Sequence, residues 1–146
     1  MPHVEAALRT QRPELAAFRG DSLGAQLQRR RRELGHRRVD AAQLIGANCT
    51  SLKWWERNER EPLERFWPAI IAYLGHEPWE EPKTLGEQLR AERRRRGLAI
   101  FEAAAVMGVD ETTFWWWECG RRSPRYPRTK ELVATFLVGR GEGLPG

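Results

Sequence analysis

Two stretches concentrate side chains that could do chemistry, "TSLKWWERN" at residues 50–58 and "TTFWWWECG" at residues 112–120. Each offers a hydroxyl (Thr50, Thr112), indole rings and a carboxylate (Glu56, Glu118). Arginines follow closely: Arg57 and Arg60 in the first, Arg121, Arg122 and Arg125 after the second. This is hydrogen-bonding, stacking and charge chemistry, suited to holding a partner rather than breaking a bond. The parts of a catalytic site are missing. His3, His36 and His76 are scattered, no nucleophile stands with a base, and no glycine-rich loop could cradle a phosphate. Cys49 and Cys119 form no CxxC or Cys/His cluster. The chain is therefore expected not to be an enzyme and to use no metal and no cofactor.

Charge and composition agree with a holding role. The 146 residues carry 25 Lys+Arg against 20 Asp+Glu, a formal charge of +5, and seven Trp. The base is nearly all arginine. An Arg-rich small protein suggests a polyanionic partner, nucleic acid before a membrane surface. No run approaches the ~18 apolar residues of a membrane span, and no signal-peptide apolar run opens the chain. A cytoplasmic protein with two free thiols is expected.

The elements that must position these groups are written twice. An offset of 62 positions (Leu85 against Leu23) aligns the chain with itself without a gap. Leu23, Gly24 and Leu27 match Leu85, Gly86 and Leu89; Arg31 and Gly35 match Arg93 and Gly97. Ala41, Ala42 and Gly46 match Ala103, Ala104 and Gly108. Thr50, Trp54, Trp55, Glu56 and Arg60 match Thr112, Trp116, Trp117, Glu118 and Arg122. Ser22 and Thr84 are good N-caps, and so are Asn48 and Asp110. Apolar residues recur at helical spacing and no segment alternates as a strand does. Each copy reads as about five helices, so the fold class is all-α.

Helix, glycine, about two residues, N-cap and helix again is the order at the centre of each copy. This order, with a basic first helix ending in Gly, then Ala, then Thr and Trp-Glu followed by Pro, resembles the XRE, or lambda-repressor (Cro-like), helix-turn-helix family. The resemblance covers about residues 22–75 and 84–138. It implies two tandem five-helix lambda-repressor-like domains that bind double-stranded DNA, with the third helix of each reading bases. Residues 1–21 are expected as an N-terminal extension, either a helix broken at Pro13 or a mobile arm. Residues 76–83 are expected as a stiff linker and residues 139–146 as a disordered tail.

The resemblance assigns roles by face. Leu52 with Trp55, and Phe114 with Trp117, sit three apart and are expected in the core. The family commonly pairs the Glu after the Trp with an Arg of the first helix, here Arg31–Glu56 and Arg93–Glu118. The opposite face holds the base-facing candidates Cys49, Thr50, Lys53 and Trp54, and Glu111, Thr112, Trp115 and Trp116. Thr can meet a base edge or a thymine methyl, and Lys53 a guanine or a phosphate. Glu111 either accepts from cytosine or only favours its helix dipole. For Trp54, Trp115 and Trp116 two readings stand: the wall of a DNA groove, or packing against another surface. Phosphate candidates are Arg38, Arg57, Arg60, Arg121, Arg122 and Arg125. Arg38 stands where the family often has a DNA-contacting Gln; its counterpart Ile100 cannot take that role. The remaining arginines of 29–32 and 93–96 are either a solvated face or further phosphate grips.

The resulting expectation is a sequence-specific duplex-DNA-binding protein, a transcriptional regulator, with more base readout in the first copy than in the second. The alternative is an antitoxin- or adaptor-like protein-interaction module. A homodimer or a protein partner would then meet the Trp-rich surface.

Overall fold

Helix boundaries fall where capping chemistry puts them. The computed structural model describes residues 21–142. The chain divides into two units between Glu81 and Pro82, and each is described by itself. In the first, α1 (Leu23–Glu33) starts at Ser22, whose hydroxyl accepts from the Ala25 N–H at 3.1 Å. Helix α2 spans Arg38–Ile45, and the Asp40 carboxylate accepts from the Arg37 N–H at 2.9 Å. Helix α3 (Cys49–Glu56) is capped by Asn48, whose Oδ1 accepts from the Ser51 N–H at 2.7 Å. A 3-10 turn at Glu64–Phe66 leads into α4 (Trp67–Leu74).

The second unit repeats this order as α5 (Leu85–Arg96), α6 (Ile100–Met107), α7 (Glu111–Cys119) and α8 (Pro127–Glu142). Thr84 and Glu87 form a reciprocal capping box at α5. Asp110 caps α7 through the Thr113 N–H at 2.8 Å. Between the second and third helices of each unit the chain reverses at a left-handed glycine, Gly46 (φ 88°) or Gly108 (φ 83°).

Packing follows the expected inward faces. In the first unit Leu27, Ala41, Ala42, Leu52, Trp55, Trp67 and Ile70 are buried. In the second, Leu89, Ala103, Ala104, Met107, Phe114, Trp117, Val133 and Phe136 form one cluster. Phe114 and Phe136 meet edge to face at 6.0 Å. Burying such a side chain contributes about 1.5–3 kcal/mol.

The first and third helices of each unit touch backbone to backbone. A Cβ on Gly24 would lie 2.3 Å from the Glu56 carbonyl oxygen, and one on Gly86 would lie 2.4 Å from that of Glu118. Only glycine fits at either place.

Three expectations are corrected. Each unit has four α-helices among the described residues, not five. Between the third and last helices the first unit has only a 3-10 turn after Pro62, and the second has no helix after Pro124 until α8. Proline supplies no N–H and biases its predecessor away from helix, which leaves too few residues for a full turn. Of the expected stiff linker at residues 76–83, the first part packs on the first unit and belongs to it. Trp79 is buried edge to face on Trp67 at 5.6 Å, and the Gln26 amide donates to the Pro78 carbonyl at 3.1 Å. The expected disordered tail is helical through Glu142, because α8 continues past Val138. Residues 1–20 of the expected extension at 1–21, like residues 143–146, lie outside the described residues.

Candidate nucleic-acid interface

Helices α3 and α7 each split into an inner and an outer face. Leu52 and Trp55 are 1% and 4% exposed, Phe114 and Trp117 0% and 5%. These inner pairs orient the helix, so the residues between them must face out. Cys49, Thr50 and Lys53 are exposed and Trp54 is half-buried; Glu111, Thr112 and Trp115 are exposed and Trp116 is half-buried. All eight base-facing candidates therefore lie together on the outer face of their own helix. Both cysteines are free thiols at the surface.

The tryptophans do not stand alone on that face. The Arg60 guanidinium lies over the Trp54 ring, 3.9 Å from its centroid, and Arg122 lies over Trp116 at 4.0 Å. Arg121 covers Trp115 at 5.0 Å. Three of the expected phosphate candidates are thus cation–π partners of three of the expected base-facing residues. Arg57 and Arg125 are exposed.

Behind the outer face sits a buried carboxylate. Glu56 is fully enclosed and accepts from Arg31 through Nε at 2.7 Å and Nη2 at 3.2 Å. Glu118 accepts from Arg93 in the same fork, at 2.8 and 3.0 Å. These bidentate, charge-assisted pairs join the first helix to the third in each unit. The bond to Glu56 holds the Arg31 guanidinium above its usual range, and burial works against it.

Arg38 is the one phosphate candidate that the structure turns elsewhere. Its Nε donates to Glu56 Oε1 at 2.9 Å, so it is a second cation on the buried carboxylate. In the second unit Ile100 packs against the core instead. Arg90, from the helix before, approaches Glu118 at 3.6 Å. The balance of two cations to one carboxylate is kept by different residues.

The arginine runs also find partners within their own unit. Arg30 donates to the Tyr73 carbonyl at 2.9 Å, and Arg29 pairs with Asp21. In the second unit Arg95 and Arg96 hold buried Glu92 at 3.0 and 2.9 Å. Arg96 also lies over the Phe136 ring at 4.2 Å. Sequence reasoning missed the roles of Arg38, Arg90 and Glu92. Glu92 had one signal: it interrupts the second basic run where the first has Arg30.

Comparison with known proteins bears on the second unit. Residues 84–142 match the family model of a helix-turn-helix domain. The match begins at Thr84, the cap of α5, and ends with α8. No curated protein and no solved structure matches the chain. Among the described residues no group of His, Cys, Asp and Glu could hold a metal ion, and no helix is long and apolar enough to cross a membrane.

Proposed function

We propose that this chain is a sequence-specific double-stranded-DNA-binding protein, a transcriptional regulator built from two tandem helix-turn-helix domains of the XRE, Cro-like kind. The carrying observation is the outer face of α7 in the helix-turn-helix unit. It presents Thr112, Trp115 and Trp116, with Arg121 and Arg122 lying over the two indoles, while the inner face of the same helix is spent on the core. The same order of helices, cap and outward side chains in residues 22–75 supports a second such domain. Two weakly binding domains on one chain raise each other's effective concentration on a duplex.

The first domain carries more of the base readout. It has Lys53 where the second has Trp115, and no acid at the place of Glu111. Selection of bound sequences from a random duplex pool, at several salt concentrations, tests both parts. The wild-type chain should enrich a defined site and lose affinity steeply as salt rises. Lys53→Ala should relax the preference at one position of that site, costing about 1–3 kcal/mol of discrimination. Trp115→Ala should leave the preference in place. A pool with no enrichment would overturn the reading.

A protein-interaction module is favoured by one observation. Val39 and Leu44 on α2 are 44% and 66% exposed, and their counterparts Phe101 and Val106 on α6 are 61% and 60% exposed. In that reading binding to a partner would change little with salt.

A further inference from the structure

We infer that Trp54 and Trp116 are platforms which hold Arg60 and Arg122 flat for a DNA phosphodiester, and that they do not themselves read the duplex. The inference rests on the DNA-binding reading above and assigns these two residues a different task within it.

The observation is a device repeated at the same offset. Arg60 on Trp54 and Arg122 on Trp116 are separated by six residues in each unit, with nearly equal stacking distances of 3.9 and 4.0 Å. The backbone explains why. Helix α3 ends at a left-handed Asn58 (φ 58°), and α7 at a left-handed Gly120 (φ 79°). The next N–H turns back to the helix in both: Glu59 donates to the Trp54 carbonyl at 2.9 Å, and Arg121 to the Trp116 carbonyl at 2.9 Å. This closure brings the following residue, Arg60 or Arg122, back over the indole that the helix presents.

Chemistry then decides what the stack is for. A guanidinium lying on a ring keeps its N–H donors in its own plane, directed outward around the edge. Among the described residues neither Arg60 nor Arg122 has an ion pair, in a chain whose other arginines are mostly committed to carboxylates and carbonyls. Both arginines are exposed, so their donors are open to solvent beyond the end of the outward-facing helix. An oriented fork beside such a helix fits a phosphate oxygen pair. The covered indole face cannot also lie against a sugar or a thymine methyl.

Lys53 and Glu59 occupy, in the first unit, the places where the second adds Trp115 and Arg121. The second unit therefore carries a further stack of the same kind, at 5.0 Å.

A double-mutant cycle in the full-length chain tests the inference on the selected duplex. Arg60→Gln with Arg122→Gln should flatten the slope of log affinity against log salt by about 1.8, the loss of two phosphate contacts. Trp54→Leu with Trp116→Leu should weaken binding about tenfold, with most of the slope kept because both arginines remain. The quadruple variant should bind no more weakly than the arginine pair. Trp54→Phe with Trp116→Phe keeps an aromatic face and should restore most of the loss; it also replaces the leucine pair in the cycle if that pair melts early. A quadruple variant weaker than the arginine pair by the full tryptophan factor would overturn the inference, because the indoles would then touch DNA independently. An unchanged salt slope in the arginine pair would overturn it as well. Absence of salt-dependent duplex binding by the wild-type chain would instead defeat the DNA-binding reading, and this inference with it.

Discussion

The two units hold the same buried carboxylate in two ways. Around Glu56 the cations come from the first and second helices, Arg31 and Arg38; around Glu118 both come from the first, Arg93 and Arg90. The second unit adds another enclosed carboxylate, Glu92, bound by Arg95 and Arg96, where the first has Arg30 on the Tyr73 carbonyl. The outer faces differ more, with Lys53 and Glu59 opposite Trp115 and Arg121. The inner contacts tolerate a change of residue only when charge and geometry are restored from nearby, because an unpaired buried carboxylate is costly. The outer face meets solvent, so its side chains can change without that constraint.

The largest effect that would break this comparison is loss of the fork in the second unit. Arg93→Ala should destabilise the protein by about 3–5 kcal/mol in urea unfolding, since Arg90 approaches Glu118 only at 3.6 Å. Arg31→Ala should cost clearly less, because Arg38 stays on Glu56 at 2.9 Å. Equal losses would mean that Arg38 and Arg90 are equivalent substitutes.

Next in size is a test where the units should behave alike. Gly24→Ala and Gly86→Ala each drive a methyl into a backbone carbonyl, at 2.3 and 2.4 Å. Each should cost about 3 kcal/mol in the same experiment. A neutral alanine at either place would mean that the helices separate there at little cost.

The smallest effect is a difference in acid sensitivity. The bonds that Asp110 accepts from the N–H and hydroxyl of Thr113 hold its carboxyl below the usual carboxylate range. Its folded pKa lies below its unfolded one. The stability it contributes is complete above the unfolded value and is lost as pH falls through the folded value. Asn48, its counterpart in the first unit, does not titrate. Asp110→Asn should leave the neutral-pH melting temperature nearly unchanged and make the acid limb of the melting profile shallower. An unchanged acid limb would show that the cap does not contribute to it.

Much of this architecture was legible in the chain. Caps were readable at Ser22, Asn48, Thr84 and Asp110 because capping is a contact between residues three apart. The inward pairs Leu52–Trp55 and Phe114–Trp117 followed from helical periodicity. The Arg–Glu forks were legible only through resemblance, since Arg31 and Glu56 are far apart in sequence. The bridge that Asn58 makes from the Gly24 N–H, at 3.0 Å, to the Ser22 hydroxyl was not legible, since it joins residues far apart in sequence.

By itself the sequence determined the all-helical class, the internal offset and the face that each tryptophan of α3 and α7 takes, all matters of local geometry and period. Tertiary structure alone decided which arginines meet which carboxylates. Sequence spacing does not say that Arg38 crosses to Glu56 while Arg90 serves Glu118. Packing also decided that Trp79 closes the first core, and that Gly24 and Gly86 admit no side chain. Each of these depends on how closely two separate helices or segments approach, a distance set by the whole packed core and by no single stretch of chain.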